Sequence, residues 1–330
     1  MSPALIRLFV QHKRALGLLA RLAVAAGILA YLFALVPLAE IAAAAASAAP
    51  LPLVLAGAVA LGAQTVLALR LSHLIRGFGP RLEVASLLEV NLAATFYGLF
   101  LPAGNVTGLL VRFARVSRRE KNYSGIALAL VLDRVIATLT LCMVGLVAVL
   151  LDRPHQSGLV LGLFAASFAA LLAGLGLLML LPGWFADRWP RLVPRKLETL
   201  WIALRQARHL PWQVLLAAFA LGIGIHLLGT GAYGLVAMAL DLELPLLTVA
   251  WLRAAAILIA ILPISVSGLG VREGVLLVLM APYDISGAQA LAFSLLAFAS
   301  TTVALGLIGG LFEARRLLLG PLVDRSRRRA

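Results

Sequence analysis

The stretch Leu262-Pro263-Ile264-Ser265-Val266-Ser267-Gly268-Leu269-Gly270-Val271-Arg272-Glu273-Gly274 decides how this chain is read. Two adjacent charges follow a run of proline, serine and glycine, with long apolar segments on either side. In a chain this apolar, the pattern predicts a helix broken at membrane depth with a charged pair inside the break. Ionisable groups at that depth are costly and mark functional sites by default. Broken backbone is tolerated there only where protein or a water-filled cavity surrounds it.

Composition supports a membrane setting. The 330 residues are 62% hydrophobic and 13% charged, with a mean hydropathy of +1.03. A soluble domain carries about 25% charged residues and 45–50% apolar ones. The Ala- and Leu-rich runs predict helices rather than a barrel. Nothing near the N-terminus reads as a cleaved signal. The one cysteine, Cys142, lies in an apolar run, which rules out an internal disulfide. No Cys/His set with metal spacing is present, and neither a metal nor a cofactor is expected.

The net charge of +14 would suit nucleic acid, but the basic residues gather in segments between apolar runs. The positive-inside rule accounts for them, so no nucleic-acid partner is expected. Full spans are predicted at roughly 16–38, 51–69, 124–151, 158–181, 213–240 and 287–311, each near the about 20 residues that a crossing needs. Regions 85–111 and 245–283 are interrupted by Pro, Gly and charges and read as re-entrant or broken helical hairpins. Basic patches at 7–21, 70–81, 112–121, 188–208 and 315–329 belong on the cytoplasmic side by this rule, with both termini inside. Glu40, Asp152 to His155, Asp241, Glu243 and Asp284 mark the opposite side. The first hairpin then enters from the cytoplasm and the second from outside, an arrangement that suggests inverted-repeat logic with a site near the midplane. The expected architecture is one all-α, polytopic domain over 1–330. A Trp- and Arg-bearing interfacial segment is expected at about 183–212, and a basic tail at 313–330.

Three constellations carry candidate chemistry. In Leu101-Pro102-Ala103-Gly104-Asn105-Val106-Thr107-Gly108, proline and glycine break the helix. A new half-helix then offers free N–H groups, with Arg112 beyond it. Asp133-Arg134 is the second. It lies 12 residues after Lys121, or about 18 Å of helix, which places it inside the membrane. Neighbours on a helix point about 100° apart, so each of the two needs a partner elsewhere. Glu273, Arg272 and Arg253 are the candidates, and a structural interhelical ion pair is the competing reading. The third is the opening stretch with Arg253 upstream, where Arg272 would meet a phosphate and Glu273 would pair with an internal arginine or gate. The candidate cavity residues are therefore Arg112, Asp133, Arg134, Arg253, Arg272 and Glu273. The candidate breaks are Pro102, Gly104, Gly108, Pro263, Gly268 and Gly270. His226, among glycines at 222, 224, 229 and 231, reads either as a proton relay or as a histidine bonded within the bundle. Glu89 and Asn91 are weaker cavity candidates.

In this order, Leu101-Pro-Ala-Gly through Gly108 and Arg112, then Leu132-Asp133-Arg134, then Leu262-Pro-Ile-Ser through Arg272-Glu273-Gly274 resemble the flippase-like transmembrane family. That family includes the membrane half of lysylphosphatidylglycerol synthases. Its first motif often carries a Gly-Glu pair, whereas Leu109 follows Gly108 here. The resemblance implies an inner-membrane protein that binds or translocates polar lipids, anionic or aminoacylated. It also links some relatives to hopanoid, isoprenoid or glycolipid pathways. The soluble aminoacyl-transferring domain is not found in this sequence, so lysyl transfer is not expected and no enzymatic activity is assigned. Three rival readings remain. A membrane-embedded lipid enzyme would need convergent acid and base groups, for which only Asp133 and Glu273 are well placed. A secondary transporter of a small molecule would need a coupling site at Glu273, Asp133 or His226. A scaffold for a partner synthase would need no buried charges.

Overall fold

The structure, a computed structural model, describes residues 23, 26–100, 105–120, 122–152, 158–188, 210–261 and 268–327. Pro102, Gly104, Pro263, Ser265 and Ser267 lie outside the described residues, as do the basic patch at 7–21 and most of the expected interfacial segment. Among the described residues every regular element is a helix and none is a strand.

The helices are α1 (Ala26–Leu35), α2 (Leu38–Ala46), α3 (Pro50–Arg76), α4 (Val84–Phe100), α5 (Asn105–Arg119), α6 (Tyr123–Leu151), α7 (Gly158–Arg188), α8 (Trp212–Ala239), α9 (Leu246–Ala260), α10 (Val271–Met280), α11 (Gly287–Phe298) and α12 (Ala304–Arg327). A π-helical turn, Ala299–Val303, joins α11 to α12. Five helical segments are long and apolar enough to cross a membrane: Pro50–Arg76, Tyr123–Leu151, Gly158–Leu177, Trp212–Ala239 and Gly287–Arg316. This is a polytopic all-α membrane protein.

The first expected span is not straight. α1 and α2 meet at an angle of 83° around Pro37, which removes a backbone donor and clashes with the preceding turn. The expected tail from 313 begins as an ordered helix, because α12 continues to Arg327. Local chemistry sets several other boundaries. Pro50 opens α3 in its first turn, where its missing N–H costs nothing. The Asn122 side chain accepts from Gly125 N–H at 3.0 Å and donates to Phe78 O at 3.0 Å. One residue thus caps α6 and ties it to the α3–α4 turn. Ser286 and Gln289 cap the start of α11 reciprocally.

The two interrupted regions form two helix–break–helix units, α4 with α5 and α9 with α10, each pair packed on itself. α5 and α9 both pack on α6, so the helix bearing Asp133 and Arg134 lies against both hairpins. α3 packs most extensively on α8, and α4 is clasped between α3 and α12. Large apolar side chains such as Leu51, Val54, Leu159, Leu216 and Leu227 are exposed on the outside, while Arg70, Asp133, Arg253, Arg272 and Glu273 are buried. That polarity inversion is what a bilayer solvent demands.

Gly108 corrects the sequence reading. It does not break a helix but sits inside α5, where an added Cβ would stand 3.1 Å from Ala94 O. Its role is close packing of the first hairpin. Gly268 and Gly270 do stand at the second break, with φ of +76° and +80°, a left-handed conformation that favours glycine.

Candidate functional site

The site is built around α6. Two adjoining cavities, about 380 Å³ and about 200 Å³, lie between the hairpins. The larger is lined by Arg134, His226, Tyr233, Arg253 and Arg272 among others. The smaller is lined by Arg112, Arg134, Thr95 and Gly108 among others. Gln64, Arg134, Phe298, Thr301 and Thr302 line both, forming a shared wall. The structure thus gathers Arg112, Arg134, Arg253 and Arg272 from four helices around one polar space. Among the described residues no carboxylate lines either cavity. The larger volume falls within the about 300–1,000 Å³ of ordinary ligand sites.

Asp133 and Glu273 stand behind the wall, each engaged by an arginine. Asp133 Oδ1 accepts from Arg70 Nε at 2.8 Å, and both side chains are almost fully buried. The expected partners Glu273, Arg272 and Arg253 are therefore not those of Asp133. Arg70, counted above with a loop patch, instead lies within α3, six residues before the end of a helix that outruns its expected span. Arg70 Nη1 has no hydrogen-bond partner and lies close to Gly222 of α8. The pair thereby joins α3 to α6 directly beneath α8.

Glu273 pairs with its own neighbour, Arg272, and not with Arg134. Adjacent helical residues meet here because the Glu273 carboxylate folds back to the helix start. There its Oε2 accepts from Gly270 N–H at 2.7 Å. The positive end of α10 is thus already satisfied by a carboxylate and is not an open anion site. Ser294 Oγ accepts from Arg272 Nε at 3.1 Å and donates to Glu273 Oε1 at 3.2 Å. The guanidinium also lies 4.3 Å from the centroid of the Phe298 ring, a close cation–π contact. Arg272 is fixed on all these sides and meets the cavity as a positioned charge.

Arg253 is held differently. It is buried, and its Cζ stands 5.5 Å from the centroid of Tyr233. A Cβ on Gly229 would approach Nη2 to 2.2 Å, so that glycine vacates the space the guanidinium fills. Among the described residues no carboxylate pairs with Arg253, Arg112 or Arg134. Arg253 Nε and Arg112 Nε are buried without an acceptor. His226 Nε2 lies 2.9 Å from Ala137 O. A carbonyl only accepts, so Nε2 carries the proton and ties α8 to α6. Its Nδ1 has no partner.

The family described as the lysylphosphatidylglycerol synthase TM region matches residues 18–309. The chain belongs to this family. Membership associates it with membrane lipids. No curated protein matches the chain.

For this member of the lysylphosphatidylglycerol synthase TM-region family, the matched segment takes in both hairpins, the shared wall and all six candidate cavity residues. It stops before Glu313, which accepts from Tyr97 OH at 3.0 Å and pairs with Arg115. Arg115 is thereby engaged in joining the first hairpin to α12. Asn91 is fully buried with neither side-chain atom bonded, and it lines neither cavity. Glu89 is exposed. Neither belongs to the site.

Sequence reasoning missed Gln64, Tyr233, Phe298, Thr301 and Thr302. The signal for Tyr233 was present, because His226, Gly229 and Tyr233 are spaced three and four apart and share one helix face. Thr301 and Thr302 lie in the π turn, a feature that recurs at functional sites. A second missed cluster stands at the far end of α6. Asp152 Oδ2 accepts from Thr248 Oγ1 at 2.7 Å, Trp251 Nε1 at 2.7 Å and Tyr283 OH at 3.3 Å. Burial, together with the Asp152 carboxylate, pushes the Tyr283 phenol up to about 12, so it remains a donor at neutral pH. Asp152, read above as an outer-loop acid, is therefore the anchor of the second hairpin.

Proposed function

We propose that the protein translocates the polar head groups of lipids across the cytoplasmic membrane, with the tails remaining in the bilayer. The observation that carries this reading is the cavity between the two broken hairpins, where four arginines converge and, among the described residues, no carboxylate does. Guanidinium groups bind phosphate through forked, charge-assisted hydrogen bonds. Under this reading the basic patches and both termini face the cytoplasm, and Arg112 and Arg253 receive phosphate from hairpins of opposite sense.

Translocation is favoured over lipid chemistry because both candidate acid–base groups are committed. Asp133 is held by Arg70 and Glu273 by Arg272. The function is accordingly proposed as non-enzymatic. The test is transbilayer movement of a fluorescent anionic phospholipid in proteoliposomes, followed by quenching from one side. Wild type accelerates movement over empty vesicles, and Arg253→Ala loses most of the acceleration at equal incorporation. Equal rates for both proteins would refute the role of the cavity. Release of a modified lipid without movement would replace the proposal with an enzyme.

A further inference from the structure

We infer that the cavity selects a phosphate group bearing two or more negative charges, a phosphomonoester or diphosphate, and rejects aminoacylated head groups. The inference rests on the translocation reading for its site and deepens it by naming the substrate class.

The argument is one of charge compensation. Five arginines lie in or directly behind the cavity walls: Arg70, Arg112, Arg134, Arg253 and Arg272. Two are neutralised, Arg70 by Asp133 and Arg272 by Glu273. Arg112, Arg134 and Arg253 pair with no carboxylate among the described residues; all three face the cavities, Arg253 buried, Arg112 half-buried and Arg134 exposed. Arg253 is more than nine-tenths buried, and its Nε has no acceptor. Leaving a buried charged donor unsatisfied is costly, so the group is built for an acceptor that a ligand brings.

A phosphodiester head carries one negative charge and leaves at least one of Arg112 and Arg253, whose Nε atoms are both buried without an acceptor, uncompensated. A lysylated phosphodiester adds two ammonium groups and reverses the sign. It would place cations among arginines with no free carboxylate to receive them, and like charges in a confined site repel. A phosphomonoester or diphosphate brings the needed charge and several acceptor oxygens together. The hydroxyl of Thr302 in the shared wall suits a phosphate oxygen as a neutral donor, whereas Thr301 Oγ1 donates to Ala297 O at 2.6 Å.

The experiment is equilibrium binding to the full chain in zwitterionic nanodiscs at pH 8, where a phosphomonoester carries close to two charges. The probes are phosphatidic acid, phosphatidylglycerol, lysylphosphatidylglycerol and inorganic diphosphate. Phosphatidic acid is expected to bind at least tenfold tighter than phosphatidylglycerol, and lysylphosphatidylglycerol no better than the zwitterionic background. Arg253→Gln and Arg112→Gln should each erase the preference for phosphatidic acid, while Arg253→Lys should retain part of it. Basic loops attract every anion, but they are intact in these variants, so loss of the preference identifies the cavity. Helicity and a monodisperse elution profile establish folding, and the lysine variant tests the idea where a glutamine variant fails to fold. Lysylphosphatidylglycerol binding as tightly as phosphatidic acid would overturn the inference, as would a preference unchanged in Arg253→Gln. Inorganic diphosphate binding as tightly as the lipid, with the same arginine dependence, would support the charge class while assigning the site to a soluble anion. Tight binding of phosphatidic acid without transbilayer movement would refute translocation and leave the selectivity standing.

Discussion

Replacing Asp133 by asparagine isolates one charge without changing shape. Arg70 would keep a neutral acceptor near its Nε, now at 2.8 Å from Oδ1, but would lose its counter-charge. The guanidinium is 1% exposed, its Nη1 is already unpartnered, and Gly222 of α8 closes one side. Two magnitudes compete. Interhelical hydrogen bonds in membrane proteins average only about 0.6 kcal/mol, whereas removing one member of a buried ion pair costs about 3–5 kcal/mol. The second governs here, because the burial leaves no route for water to reach the stranded cation. Asp133→Asn should therefore cost about 3–5 kcal/mol, and Arg70→Met/Asp133→Leu should lie within about 1 kcal/mol of wild type or above it. Reversible unfolding in mixed micelles with increasing SDS, followed by circular dichroism, gives the stability of each variant against wild type. A single-variant cost below about 1 kcal/mol, or a double variant as unstable as the single, would refute the reasoning.

Gly309→Ala should destabilise by about 1–3 kcal/mol, because its Cβ would stand 2.1 Å from Leu92 O, a backbone atom of α4. Gly224→Ala, which meets nothing within 4 Å, should be neutral or slightly stabilising in the same SDS unfolding assay. Asp152→Ala strands the Thr248 hydroxyl and the Trp251 indole donor at a cost of about 1–3 kcal/mol. Amide hydrogen exchange should quicken selectively across residues 271–283. Arg253→Met should leave unfolding stability unchanged or raised while lipid movement in proteoliposomes falls. A large loss of stability would show that Arg253 holds the fold together.

The features legible in the sequence were those whose cause is local. A charge inside an apolar run, or proline and glycine between two such runs, announces itself without reference to any other segment. Both hairpins and the arginines at positions 112, 134, 253 and 272 were found that way. Pairing was not legible. Arg70 follows an apolar run of nearly a full span, and the same pattern describes a loop residue and a helix that simply continues. Only Asp133, 63 residues away, decides between them. Glu313 was likewise absorbed into a basic tail, although its partners Tyr97 and Arg115 lie 216 and 198 residues distant. Gly108 misled for a related reason. Glycine after a proline break looks like more of the break, and only the approach of Ala94 O shows that it serves helix packing.

The distribution of carboxylates separates what holds this protein together from what its cavity offers. Asp133, Glu273 and Glu313 each neutralise one arginine, and each pair joins elements that must stay together. Arg70–Asp133 joins α3 to α6, Arg115–Glu313 joins the first hairpin to α12, and Arg272–Glu273 closes the start of α10 against Ser294 of α11. Asp152 gathers neutral donors and fastens α9 and the turn after α10 to the end of α6. Once these are assigned, the arginines that line the cavities without a carboxylate partner among the described residues are the buried Arg253, the half-buried Arg112 and the exposed Arg134. A fold needing arginines only for cohesion would pair them, since a buried unpaired one such as Arg253 costs about 2.5–3.5 kcal/mol at membrane depth. The excess is therefore a property of the cavity, and it is the ligand's charge that must answer it.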